Sequence, residues 1–140
     1  TVFSGKDNAI LANFFAYDPA FIGGVRVAAG DVNGDGRIDL ICGAGAGGGP
    51  NVSIFSLDAL NQVSLANSYF AYDPYFSLGI YGAADEVNHD GKADVITGAG
   101  AGGGPNVVVF NGPYGMFGDR LASFFAYDPA FVGGVRVAAL

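Results

Sequence analysis

The chain is short of the residues from which most active sites and thiolate metal sites are built. It has one cysteine, one histidine, one methionine and no tryptophan in 140 residues. A single cysteine excludes an intrachain disulfide, and Cys42, set in an apolar run, reads as a small buried strand residue. One His and one Cys cannot furnish a zinc set. Nor do they come with a motif for a Ser/His/Asp or Cys/His site, so we expect no catalytic residues and no enzyme. Only six Lys and Arg stand against 13 acids, a net charge of −7. Phosphate binding needs a basic face, so we expect no nucleic-acid partner. No run of 18 apolar residues offers a helical membrane span. The chain lacks an initiating Met and a signal-peptide pattern at Thr1, and we expect that it does not begin where its gene does.

What is abundant is glycine, at 24 residues, with 12 Phe and 7 Tyr, a mixture suited to short strands and tight turns. The most informative stretch is Asp31-Val32-Asn33-Gly34-Asp35-Gly36-Arg37-Ile38-Asp39, which returns as Glu86-Val87-Asn88-His89-Asp90-Gly91-Lys92-Ala93-Asp94. Oxygen-bearing side chains stand at relative positions 1, 3, 5 and 9, with glycine at 6. Hard cations such as Ca²⁺ take six to eight oxygens at about 2.3–2.6 Å, and this pattern supplies carboxylates, an amide and a carbonyl at position 7. Without an ion, three acids aimed at one volume repel by about 4 kcal/mol per pair at 4 Å and an effective dielectric near 20. We therefore expect an empty loop to be poorly ordered. The competing reading is an Asp/Asn/Gly turn joining two strands. An EF-hand fails on two counts: position 12 is Cys42 or Thr97 instead of Glu, and β-prone residues follow each loop. Seven acids, Asp31, Asp35, Asp39, Asp85, Glu86, Asp90 and Asp94, lie in or beside the loops, and two divalent ions would bring −7 to −3.

Internal repetition sets the architecture. Phe14–Phe21 returns at Tyr69–Phe76 and Phe124–Phe131, an offset of 55 residues each time, and GAGAGGGPNV occurs unchanged at Gly43–Val52 and Gly98–Val107. Each unit holds four strand-like segments bounded by Gly, Pro, Asn or Asp; in the first they are Val25–Ala29, Ile38–Gly43, Asn51–Leu57 and Val63–Tyr72. The unit has no room for a helix of ordinary length. A helix-free, four-strand unit of this size is the pattern of a β-propeller blade. We expect an all-β chain of about two and a half repeats forming a partial propeller of four-stranded antiparallel blades. Residues 1–21 would end one blade, 22–76 and 77–131 would be whole blades, and 132–140 would be the first strand of a further one. Propellers close with roughly four to eight blades. Open edges at both ends then predict pairing with other blades of a parent chain or self-association.

D-x-N-x-D-G-x-x-D between two strands, then a Gly/Ala/Pro-rich turn and a V-x-[IV]-F strand, resembles the FG-GAP, integrin-alpha-type repeat and its bacterial relatives. The resemblance covers the whole chain. It implies one blade per repeat, usually in a seven-bladed ring, with Ca²⁺ in the hairpin between the first two strands. It implies side-chain ligands Asp31, Asn33, Asp35 and Asp39 with the Arg37 carbonyl. The second site would use Glu86, Asn88, Asp90 and Asp94 with the Lys92 carbonyl. This second set departs from the pattern by Glu at its first position and by the neighbouring Asp85.

Gly43–Gly48 satisfies G-x-G-x-x-G, but a strand and not a helix follows Pro50, so the glycines read as a hairpin with close backbone approach, not a dinucleotide site. Ala-Tyr-Asp-Pro reads as a turn that carries the crossover between units, with Phe15, Tyr17 and Phe21 packing between them. Arg26 and Arg136 alternate with valines on the first strand and would line a central channel, with Tyr81 in their place in the second unit. His89 reads as a solvent-facing spacer. The expected role is a calcium-stabilised, non-catalytic module of a secreted or cell-surface protein, mediating adhesion or protein interaction. One alternative is a carbohydrate-binding propeller, suggested by Tyr17, Tyr72, Tyr75 and Tyr114; the other is an accessory propeller of a polysaccharide-degrading enzyme.

Overall fold

Valine, isoleucine and aromatic residues between glycine- and asparagine-rich breaks form strands, and here they do so in two successive meanders. The computed structural model describes residues 1–112 and 119–140; Tyr114 lies outside them. The strands are β1 (Val2–Phe3), β2 (Ile10–Ala12), β3 (Val25–Gly30), β4 (Asp39–Ala44), β5 (Asn51–Leu57), β6 (Val63–Phe70), β7 (Ile80–Asp85), β8 (Asp94–Ala99), β9 (Asn106–Phe110) and β10 (Arg120–Phe125). The described residues contain no α-helix. Two four-stranded antiparallel sheets, β3-β4-β5-β6 and β7-β8-β9-β10, follow a small β1-β2 hairpin. Both large sheets slip register at equivalent points, after Ile54 in one and at Val109–Phe110 in the other. A bulge reproduced at the same position bends the outer strand pair of each sheet alike.

The core lies between the two large sheets. Ile41, Val52, Ile54, Tyr69 and Ala71 of the first meet Ile80, Val95, Val108 and Phe110 of the second. Alternation along the strands explains the division, since one side of β4 presents Ile41 and Gly43 while the other presents Leu40 and Cys42. At Gly43 the sheets come so close that a Cβ would lie 3.0 Å from Ile80 Cγ1. Phe14 packs on Phe55 with ring centroids 4.9 Å apart, so the N-terminal segment covers the opposite face of the first sheet.

Sheet position decides burial more than residue type does. Val32 is fully buried while its equivalent Val87 is 49% exposed, and Tyr69 is 9% exposed while Phe124 is 52%. The first sheet has neighbours on both faces, whereas the second has only residues 126–140 behind it. Those residues do not form the expected strand. Val135 N–H donates to Ala99 O at 2.9 Å, but 135–140 joins no ladder. The expected fourth strand also ends early: Ala71 N–H turns to Pro50 O, and Tyr72 leaves the sheet.

Tyr69 carries the one buried side-chain polar atom among the described residues without a hydrogen-bond partner, its hydroxyl. Burial pushes its pKa upward, because the phenolate would be desolvated. The equivalent residues, Phe14 and Phe124, have no hydroxyl. Tyr69→Phe should therefore stabilise the protein by about 1 kcal/mol, the desolvation cost of an unpaired hydroxyl. Urea unfolding followed by circular dichroism measures it, and a loss of stability would show that the hydroxyl is solvated.

Candidate metal centre

Each nine-residue loop joins the first two strands of a large sheet, β3 to β4 and β7 to β8, and starts where the ladder ends at Gly30↔Asp39 or Asp85↔Asp94. The backbone then turns through positive φ at Gly34 (77°) and Gly36 (81°), and at His89 (63°) and Gly91 (85°) in the second copy. His89 is exposed, as a spacer should be.

The two loops close with closely similar hydrogen bonds. In the first, Asp31 accepts from Gly34 N–H at 2.8 Å, Asp35 N–H at 3.1 Å and Gly36 N–H at 2.7 Å. Asn33 Oδ1 accepts from Asp35 N–H, and Asp35 Oδ1 from Arg37 N–H. In the second, Glu86 accepts from the Asp90 and Gly91 amides, Asn88 Oδ1 from Asp90 N–H, and Asp90 Oδ1 from Lys92 N–H. The longer Glu86 side chain thus reaches two of the three equivalent amides, without the one at position 4 that Asp31 takes from Gly34. Asp85 takes no part in that closure; it accepts from Glu86 N–H at 2.9 Å.

Position 9 anchors each loop. Asp39 and Asp94 are buried, and their Oδ2 atoms accept from Val32 N–H at 3.1 Å and Val87 N–H at 2.9 Å. Each is braced from the end of the third strand. Ser56 Oγ donates to Asp39 Oδ1 at 2.5 Å, while Gly112 N–H donates to Asp94 Oδ1 at 3.1 Å and Asn88 Nδ2 donates to Asn111 Oδ1. Ser56 and Asn111 were not among the residues singled out from sequence. Their signal was available, because both stand 55 residues apart where an apolar strand turns polar.

The loops also touch each other. Ala93 N–H donates to Asp31 O at 2.8 Å, and the Lys92 stem lies on Gly34, where a Cβ would come 3.1 Å from Lys92 Cγ. Position 4 of the first loop is thus glycine for room as well as for φ.

All ten sequence-predicted residues, Asp31, Asn33, Asp35, Arg37, Asp39, Glu86, Asn88, Asp90, Lys92 and Asp94, lie in these two loops. Among the described residues no group of three His, Cys, Asp or Glu is placed to hold a metal. Each carboxylate instead points at amides of its own loop, the geometry that the turn reading expects. The donor chemistry nevertheless suits a hard cation, since every donor is oxygen and Asp35 Oδ2 takes no hydrogen bond among the described residues.

Elsewhere the structure divides the sequence-based expectations. Tyr17 OH donates to Cys42 O at 2.6 Å and contacts Asn51 O at 3.1 Å, and Tyr72 OH donates to Asn106 O at 3.0 Å. These hydroxyls fasten each crossover to the following sheet, and burial raises both pKa values, that of Tyr72 to about 12. The two side chains are half-buried and edge-on to Phe21 and Phe76, so they are not the free stacking surface that a sugar-binding role needs. Phe15 is corrected too: at 75% exposure it is not packed between units. Burial pushes the Cys42 thiol up to about 11, in keeping with an inert core residue. The glycine run forms turns against the crossovers, with Gly45 N–H on Gly24 O and Gly47 N–H on Ser77 O.

Comparison with known families matches residues 23–59 to the FG-GAP repeat. That span holds β3, the first loop, β4 and β5. An FG-GAP repeat is typically a structural or interaction module, and here it falls in an all-β, antiparallel setting. No curated protein and no solved structure gives a significant match. Among the described residues no helix is long and apolar enough to cross a membrane.

Proposed function

We propose that the chain is a stretch of a calcium-stabilised β-propeller, with each four-stranded sheet one blade, working as an adhesion or protein-interaction module outside the cell. The observation that carries this reading is the pair of loops: two copies, 55 residues apart, sharing five equivalent hydrogen bonds, each between the first two strands of a sheet. A turn alone needs no acid at positions 1, 5 and 9. Each loop supplies four oxygen side chains and the carbonyl of Arg37 or Lys92. Ca²⁺ competes with loop amides for carboxylate lone pairs, of which each group has about four. Calcium near millimolar, as outside cells, fills sites with Kd of about 10⁻⁵ M, and in the cytosol the same sites stand mostly empty. The open faces of the two end units then accept further blades of a parent chain or a second copy.

Thermal unfolding of chelated protein, with calcium or magnesium added back, tests the proposal. Calcium at a hundred times Kd should add about 2.7 kcal/mol per filled loop, seen as a saturating rise in Tm that magnesium does not reproduce. No shift with either ion would leave the loops as turns and remove the calcium reading.

A further inference from the structure

We propose that Arg26, Tyr81 and Arg136 form an oxyanion site on the inner edge of the sheets, taking a carboxylate or sulfate group. The three occupy the same position of successive units. Arg26 Cζ lies 4.0 Å from the Tyr81 ring centroid and Arg136 Cζ 5.2 Å. Two of the chain's four arginines are thus gathered around one ring. Their guanidinium carbons can be no further apart than the sum of those two distances.

The pair lacks a counter-charge. The chain has 13 acids, yet neither arginine has a carboxylate partner among the described residues. The ring attracts both cations without neutralising them. Arg26 is positioned by one donor, Nη1 to Ile80 O at 2.8 Å; a guanidinium has five N–H donors and no acceptor, so its capacity for an anion is largely unused. Arg136 is exposed. The residues that follow in the three segments, Val27–Ala29, Gly82–Ala84 and 137–139, line one open cleft. All nine are Val, Ala or Gly, so no bulky group closes it. A planar guanidinium fork with free N–H donors matches the geometry of carboxylate and sulfate oxygens, and two such forks rest on the one Tyr81 ring.

The simpler role for this cluster is a clamp holding β3 to β7, and the test separates the two. Sodium sulfate and sodium succinate are titrated against sodium chloride at equal ionic strength, with calcium constant, and the arginine Nε–Hε resonances are followed by NMR. The expected result is saturation with Kd of about 1 mM for at least one of the two anions. Arg136→Gln should weaken it at least tenfold with Tm in chloride unchanged, because that side chain is exposed; Arg26→Gln should also weaken it. Response to sulfate alone, to succinate alone or to both assigns the oxyanion chemistry. Equal response in wild type and Arg136→Gln, or no saturable response to either anion, overturns the site and leaves a clamp.

Discussion

Alanine in place of Gly45 costs the protein about 4 kcal/mol or more and leaves it largely unfolded at ambient temperature. A Cβ there would lie 1.8 Å from Gly23 O and 2.9 Å from Gly24 O, while the Gly45 amide donates to the same Gly24 carbonyl. Both sides of the clash are backbone, so no rotamer relieves it. The crossover must move away from the sheet, breaking that hydrogen bond and the neighbouring Tyr17 anchor. Overpacking usually costs about 1–3 kcal/mol, and values above that arise where nothing can yield. Gly100 is the same position one unit later, with a Cβ 2.2 Å from Leu78 O, and should behave alike. Gly82 supplies the contrast: it has open space around its Cβ direction and no positive φ, so Gly82→Ala should stay within about 0.5 kcal/mol of wild type. Guanidinium unfolding of the three variants, followed by circular dichroism, measures the difference. Equal stability for Gly45→Ala and Gly82→Ala would mean that the crossover does not rest on the glycine turn.

Asp94→Ala is expected to cost about 3–5 kcal/mol even with calcium removed. Asp94 is fully buried and accepts from Val87 N–H, Asn88 N–H and Gly112 N–H. Truncation leaves two or three amides without acceptors, each costing about 1–3 kcal/mol, partly recovered by entering water. Asp94→Asn keeps one acceptor oxygen but aims an NH₂ at the remaining amides, so it should fall between alanine and wild type. Chelated wild type is the reference, which separates the amide network from any ion. A loss under 1 kcal/mol in the chelated state would show that the aspartate matters only as a metal ligand.

The strands of the first unit were legible because Gly, Pro and Asn punctuate them, and three of the four segments predicted there agree with the structure within one residue at each end. The loops were legible because their residue types recur at fixed offsets. What periodicity could not convey is which face receives a neighbour. Val32 and Val87 are the same residue in the same pattern, and only the stacking of sheets separates their exposures. The fourth strand was overrun by two residues because Tyr72 reads as β-prone locally, whereas its hydroxyl is drawn across to Asn106 O of the next sheet. Tyr81 in place of arginine looked like a break in the inner-edge pattern. In three dimensions it is the ring on which the flanking arginines rest. Residues 135–140 show the same limit: a strand-like sequence forms a strand only where a partner offers its amides and carbonyls.

The contact of Ala93 with the Asp31 carbonyl, and of Lys92 with Gly34, bears on how such arrays can be taken apart and rebuilt. Part of the wall of the first loop is made by the second. A 55-residue piece cut at its crossovers would therefore carry a loop without its outer buttress, and a unit grafted from elsewhere would need a slender residue where Gly34 stands. The exchangeable module is the seam between neighbours, running from one loop to the segment that braces it, and it does not coincide with the repeat that the sequence displays.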